Sequence, residues 1–171
     1  MRRSSKRKLF AALALVAAIV TAAALVASRS GREFRRSALF GVLGAYDVVD
    51  GDTIKVAGVG TVRYIGVDAP ERDEPFYDEA RLYNAELLSD GKLSLAYGRG
   101  LYDRYGRTLA YVYVRDEAGR LRFVNEELVR AGWATTLEIP PNTEFAATFR
   151  RAEEEARRAG RGVWARGRGE N

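Results

Sequence analysis

The sequence predicts an α+β protein that is mainly β, with about three helices, behind an apolar N-terminal segment. From residue 39 onward, short apolar runs alternate with Gly, Asp and Asn, a pattern typical of strands joined by tight turns. Later stretches repeat apolar residues at helical spacing. The chain has 171 residues, of which 47% are hydrophobic, so we expect one compact domain with its own core and a short extra segment.

Five strands are predicted, and the first three form a β-meander. The predicted strands span residues 45–49, 53–57, 61–67, 92–97 and 109–115. The turns between the first three strands lie at residues 50–52 and 58–60, where Asp and Gly dominate. Three strands joined by such short turns pair with their neighbours in antiparallel order.

Three helices are predicted, at residues 76–88, 125–131 and 145–159. Asn125 is the expected cap of the second helix, and Gly160 ends the third. Five strands with one helix between the third and the fourth are the order of an OB-fold barrel. The sequence therefore predicts a five-stranded OB-fold domain over residues 39–165, followed by a disordered tail at 166–171.

The N-terminal residues 1–28 are predicted to be a signal peptide or a signal anchor. Five Lys or Arg precede an unbroken run of small and apolar residues at 9–27. A basic start followed by an apolar run is typical of an export signal, and the run approaches the ~20 residues that span a bilayer. Residues 29–38 form a basic linker. The body is expected to be extracytoplasmic, either membrane-anchored or secreted.

Composition excludes several kinds of chemistry. The chain has no cysteine and no histidine, which rules out disulfides, zinc fingers, histidine bases and Ser–His triads. Its net charge is +5, but residues 1–36 carry nine Lys or Arg and one Glu, which leaves 19 basic and 22 acidic residues in the body. The basic character belongs to the N-terminus, so any phosphate binding by the body depends on local arginines.

Acidic residues gather at the ends of the predicted strands. Asp50 and Asp52 flank Gly51 in the first turn, and Asp68 and Glu71 follow the third strand. In a meander, the start of the second strand lies close to the end of the third, so Asp52 and Asp68 are expected to converge. Two carboxylates provide hard oxygen ligands for a divalent cation and leave room for water and a phosphate oxygen.

Two arginines accompany these carboxylates. Arg63 lies within the third strand, and Arg107 follows the turn at residues 103–106. Guanidinium groups bind phosphate through a planar fork and stay charged. Hydrolysis of a phosphodiester needs neutralised charge and a water positioned by a carboxylate, and this set meets both needs. Each motif alone also fits an ordinary turn or an exposed strand residue, so the case depends on their joint occurrence.

These motifs, in this order, resemble the staphylococcal nuclease (thermonuclease) family over about residues 45–165. The matching segments are VDGDT at 49–53, VRYIGVDAPE at 62–71, DRYGRTLAYVY at 103–113, VNEELVRAG at 124–132 and GVW at 162–164. The resemblance implies a five-stranded OB barrel with three helices. It also implies calcium-dependent cleavage of DNA and RNA that leaves 3′-phosphates.

The resemblance further implies roles for individual residues. The implied Ca²⁺ ligands are Asp52, Asp68 and the backbone carbonyl of Ala69. The implied catalytic residues are Arg63, Arg107 and Glu71, the last either a general base or a group that orients water. Asp50 and Thr53 match neighbours of the metal ligands.

Substrate contacts are expected from a third set of residues, which comprises Arg104, Tyr105 and Tyr113. Leu137 and Ile139 stand where the best-known member of the family has two tyrosines that flank the nucleotide base. Because stacking contributes ~1–3 kcal/mol per base, weaker nucleotide binding is expected here.

Two other functions stay open on the sequence. OB barrels often bind single strands without cutting them, so a non-catalytic single-stranded nucleic-acid-binding module is one alternative. A membrane-tethered structural or interaction protein is the other, and it predicts no calcium dependence. Two carboxylates facing a polyanion are of little use to a pure binder, which favours the nuclease. Expected partners are DNA and RNA, and the membrane if the N-terminal segment is uncleaved, for a chain that acts as a monomer.

Overall fold

The computed structural model describes residues 39–41, 45–89 and 91–165. The predicted signal or anchor segment, the basic linker and the C-terminal tail lie outside the described residues. Within the described part of the chain, no helix combines the length and the apolar composition that crossing a membrane requires.

The described residues form an α+β domain with nine strands and three helices. The strands are β1 (Leu39–Gly41), β2 (Tyr46–Val48), β3 (Thr53–Val56), β4 (Gly60–Tyr64), β5 (Val67–Asp68), β6 (Lys92–Tyr102), β7 (Thr108–Arg115), β8 (Leu121–Phe123) and β9 (Thr135–Thr136). The helices are α1 (Tyr77–Ser89), α2 (Val124–Arg130) and α3 (Ala146–Ala159), followed by a 3₁₀ turn at Gly162–Trp164. The three predicted helices are confirmed to within a residue or two at each end.

The main sheet has the strand order β1-β6-β7-β4-β3-β2, with β8 beside β7. The meander of β2, β3 and β4 is antiparallel as predicted, and β4 pairs in parallel with β7. Within the described residues the sheet is open, because the path ends at β1 and β2. The arrangement is OB-like. The predicted count of five strands is too low because β1, β8 and β9 are too short to show an alternating pattern in the sequence.

The predicted third strand is interrupted at Gly66, which has a φ of 81°. A Cβ at this position would collide with the ring of Phe149, so no side chain fits here. The main-sheet strand ends at Tyr64, and the chain resumes as β5, which pairs with β9. The prediction of a continuous strand over residues 61–67 was therefore wrong. The turn places Asp68 on a separate two-stranded sheet.

An aromatic cluster forms much of the core next to α3. The ring of Tyr113 stacks on that of Phe123 with a centroid distance of 4.6 Å, and Phe145 and Phe149 complete the cluster. Tyr113 is only 1% exposed. This residue is therefore part of the core and not the substrate contact that the sequence predicted, because both faces of β7 are buried over residues 110–114.

Asn125 lies inside α2 and does not cap it. The helix begins at Val124, and Phe123 occupies the capping position without a side-chain bond. The Asn125 side chain is fully buried, donates to the carbonyl of Ile65 at 2.8 Å and accepts from the amide of Val112 at 2.8 Å. It satisfies two backbone groups that the interrupted sheet leaves unpaired, which explains why a polar residue is buried there.

Candidate active site

The turn between β2 and β3 carries Asp52 into the interior. The backbone amide of Asp52 donates to Oδ1 of Asp50 at 3.1 Å. A Cβ on Gly51 would lie 2.5 Å from the methyl group of Ala69 and 2.9 Å from that of Ala80. The absent side chain therefore lets α1 and the segment after β5 close directly on the turn.

A buried amide ties α1 to the same turn. Asn84 is fully buried, donates to the carbonyl of Asp50 at 2.9 Å and accepts from the hydroxyl of Tyr64 at 3.0 Å. The backbone amide of Tyr64 in turn donates to the carbonyl of Asp52 at 2.9 Å. Asn84 was missing from the predicted site residues. A polar residue on the buried face of a helix is the sequence signal that could have marked it.

Arg63 lies between the two predicted metal-binding carboxylates. Its Nη2 is 3.0 Å from Oδ2 of Asp52 and 2.6 Å from Oδ1 of Asp68. Its Nη1 donates to the carbonyls of Tyr64 and Val67 at 2.9 and 2.7 Å. The Arg63 side chain is 11% exposed, so the guanidinium is both buried and held at four points. Because one nitrogen contacts both carboxylates, the structure brings Asp52 and Asp68 together.

The two carboxylates have different environments. Asp52 is buried and accepts from the amide of Ala69 at 2.7 Å and from the hydroxyl of Thr53 at 3.0 Å, whereas the Asp68 side chain is half exposed. Burial raises the pKa of Asp52 to about 7, although Arg63 and the Ala69 amide oppose this rise. A carboxylate desolvated to this degree gains from any further positive charge beside it.

Arg107 is held by an aspartate in the turn before β7. Its Nε donates to Oδ2 of Asp103 at 2.6 Å, and its backbone amide donates to Oδ1 at 2.9 Å. Partial desolvation favours a higher pKa for Asp103, but the hydrogen bonds from Arg107 and from the amide of Tyr105 outweigh this effect. The pKa of Asp103 is therefore below its usual value. Asp103 was not among the predicted functional residues. The four-residue spacing from Asp103 to Arg107 is the signal that could have found it.

Arg107 lies just before β7, the strand that pairs with the one carrying Arg63. The parallel pairing of β4 with β7 places Arg63 beside Leu109, two residues after Arg107. Among the described residues, Asp103 is the only ion-pair partner of Arg107.

The tip of the β6–β7 hairpin presents a cationic and aromatic surface. Tyr105 is 68% exposed, and the guanidinium carbons of Arg104 and Arg107 lie 4.7 and 5.5 Å from the centroid of its ring. Arg104 also donates to the Tyr105 hydroxyl at 2.5 Å. Both predicted contact residues of this turn are thus accessible to a ligand, in contrast to Tyr113.

Glu71 lies on the exposed loop before α1. Its backbone amide donates to a carboxylate oxygen of Glu74 at 2.9 Å, while its own carboxylate makes no hydrogen bond or ion pair with any described residue. Only three positions separate it from Asp68 along the chain. Farther along the chain, Leu137 and Ile139 are 36% and 59% exposed, so the segment after β9 offers aliphatic side chains to solvent.

The donor set fits a hard cation. Asp52 and Asp68 offer carboxylate oxygens, and the backbone carbonyl of Ala69 is next along the chain. Within the described residues, no group of three or more His, Cys, Asp or Glu comes together that could hold a metal. Calcium takes 6–8 oxygen ligands, so water and substrate would have to complete its shell.

These features define an OB-like α+β domain in which a buried arginine joins two carboxylates. The profile of the family described as staphylococcal nuclease homologue matches residues 61–166. The chain belongs to this family.

Several known proteins are similar to the chain. It is 38% identical over 129 residues to the SPbeta prophage-derived endonuclease YokF of Bacillus subtilis, and 39% identical over 129 residues to endonuclease YncB of the same organism. Each match covers 69% of this chain, but only 42% and 59% of those relatives. The thermonuclease of Staphylococcus intermedius is 34% identical over 128 residues, which cover 70% of this chain and 73% of that protein.

Proposed function

We propose that this chain is a calcium-dependent nuclease that hydrolyses phosphodiester bonds of DNA and RNA and leaves 3′-phosphates. The observation that carries the proposal is the contact of Arg63 with Asp52 and Asp68, which combines a fixed cation with two converging carboxylates. The similar proteins are two endonucleases and a thermonuclease, and their names support the same reaction class.

The ion would be held by Asp52, Asp68 and the carbonyl of Ala69. When bound, calcium supplies positive charge that neutralises phosphate oxygens. Asp50 and Thr53 hold Asp52 in place, through its backbone amide and its Oδ1 atom respectively. Their role is to keep the buried carboxylate aimed at the metal.

Arg63 and Arg107 would stabilise the charge that develops on the phosphate. The bonds from Arg63 Nη1 to two carbonyls fix the plane of its guanidinium before any substrate arrives. Donors fixed in this way act most strongly in the transition state, because they need no reorganisation. Arg107 is oriented by Asp103 just before β7, the strand that pairs with β4, so it would provide a second guanidinium fork.

Glu71 would act on the attacking water. Its carboxylate is exposed and not engaged by described residues, so it is free to accept a proton from water or to orient it. Both roles stay open. The ring of Tyr105 and the guanidinium of Arg104 lie at the hairpin tip, where they would contact the nucleotide next to the reacting phosphate.

The experiment that tests this function is digestion of plasmid DNA and of RNA by the purified chain. We expect cleavage in calcium, no cleavage in chelator and poor replacement of calcium by zinc, because the site offers only oxygen ligands. Equal cleavage after thorough metal removal would rule out the metal role. Binding without any cleavage in calcium would instead support the non-catalytic module.

A further inference from the structure

An open cavity lies beside the candidate active site. It has a volume of about 420 Å³, opens to solvent and is lined by Val49, Arg72, Tyr77, Asp78 and Arg81. Ligand pockets typically measure about 300–1,000 Å³, so the cavity has room for a group of nucleotide size. None of these residues belongs to the catalytic or metal-binding set proposed above.

The chain connects this cavity directly to that set. Val49 immediately precedes Asp50, and Arg72 immediately follows Glu71. The hydroxyl of Tyr77 reaches the carbonyl of Val49 at 3.4 Å, a long contact that joins the first turn of α1 to the end of β2. A strand of nucleic acid that leaves the active site on this side would therefore pass over the cavity.

The two arginines that line the cavity differ from most described arginines in the partners of their side chains. Among the arginines in the described part of the chain, only the side chains of Arg72, Arg81 and Arg151 make no hydrogen bond or ion pair with a described residue. Two of these three line this cavity. Free guanidinium groups from two elements, the loop before α1 and α1 itself, suit the binding of a phosphate group, whose oxygens accept their planar forks.

We propose that Arg72 and Arg81 form an accessory subsite that binds a phosphate of the nucleic acid next to the scissile one. The identity of the ligand rests on the proposed function. Asp78 also lines the cavity and carries a negative charge, so the lining has two positive charges and one negative. The subsite therefore positions the strand with a modest contribution to affinity. The ring of Tyr77 provides an apolar surface beside the phosphate.

The test measures binding of a fluorescein-labelled oligothymidylate of about twelve nucleotides to the full chain. Binding is detected by fluorescence anisotropy in chelator, where cleavage does not interfere. The variants are Arg72→Gln with Arg81→Gln, Asp78→Asn alone, and Arg151→Gln as the matched control for an unpaired arginine outside the cavity. We expect the double variant to weaken binding about tenfold at low salt. Its plot of log affinity against log salt should be less steep by about 0.7 for each phosphate that the variant no longer neutralises.

Asp78→Asn is expected to strengthen binding several-fold, and Arg151→Gln to leave it unchanged. The subsite is overturned if the unsubstituted chain does not bind the oligonucleotide. It is also overturned if the double variant and Arg151→Gln bind the oligonucleotide with equal affinity. Failure of the proposed function is separate: an unsubstituted chain that binds but never cleaves in calcium refutes the nuclease while the subsite stands. Circular dichroism confirms that the variants fold.

Discussion

At the scale of single residues, the site depends on the shape of Arg63 as much as on its charge. Its Nη1 contacts two backbone carbonyls while Nη2 contacts two carboxylates. A lysine ammonium has its three donors on one nitrogen. It cannot bind two carbonyls and two carboxylates that lie around the separate nitrogens of a planar guanidinium. A lysine at this position would keep the charge and lose the geometry.

Arg63→Lys is therefore expected to lower turnover by roughly a hundredfold or more, the scale of removing one transition-state donor. The measurement is steady-state turnover on saturating DNA in calcium, with circular dichroism to confirm folding. Arg151→Lys is the control, since Arg151 is exposed on α3. A folded Arg63→Lys protein with near-native turnover would contradict the role proposed for Arg63.

Asp52 links the site to stability. Burial raises its pKa from 3.8 to about 7, so the folded protein binds this proton more tightly than the unfolded chain does. The contribution of Asp52 to stability is therefore lost as the pH rises between these values, by at most about 1.4 kcal/mol per pH unit. We expect Asp52→Asn to remove this loss from the metal-free protein and to weaken calcium binding.

The measurement is the free energy of unfolding by urea in chelator at about pH 5 and about pH 8, on either side of the raised pKa. Asp52→Asn should reduce the relative loss of stability at the higher pH. Asp116→Asn is the control that should leave the pH dependence unchanged, because bonds from Arg120 lower the pKa of Asp116 and its titration therefore lies below this range. An unchanged pH dependence in Asp52→Asn would show that Asp52 does not titrate in this range.

At the scale of elements, α1 sets the position of the turn that carries Asp52. Ala80 and Asn84 are four residues apart and so share one helix face, which meets Gly51 and the carbonyl of Asp50. The side-chain amide oxygen of Asn84 also accepts from the hydroxyl of Tyr64, the residue next to Arg63. One helix face thus supports both the carboxylate and the arginine of the site.

Asn84→Leu should weaken calcium affinity about tenfold, because it releases the turn that carries Asp52 while it roughly keeps the volume of the side chain. Leu128→Ala is the matched control: it opens a cavity in α2, costs about 2–5 kcal/mol of stability and does not touch the turn. Calcium affinity is measured by calorimetry at a temperature where both variants are folded. Equal affinities for the two variants would make Asn84 a purely structural residue.

At the scale of the whole molecule, charge and apolar sequence are divided between two regions. Residues 1–36 hold nine basic residues, one acidic residue and the apolar run, whereas the body is slightly acidic. We propose that the first region directs the body out of the cytoplasm. A body without strong positive charge would then depend on local arginines to attract nucleic acid.

Fusion of a reporter that works only in the cytoplasm after Asn171 tests this location. The reporter should be inactive behind the complete chain and active behind residues 39–171, which lack the basic and apolar start. Full activity behind the complete chain would refute export. Expression of both fusions is checked by immunoblot.

The sequence by itself determined the helices, the meander and the set of acidic and basic residues, because side-chain periodicity and turn chemistry are local properties. It also predicted that Asp52 and Asp68 converge, although Asp68 lies on β5, beyond the meander and in a second sheet. Only the tertiary structure decided that Tyr113 is buried, that Gly66 interrupts a strand and that Asn84 supports the turn. Asn84 bonds Asp50 across 34 positions, and Asn125 bonds Ile65 across 60. A sequence pattern shows that one face is buried, but the partner that covers it depends on how distant segments pack.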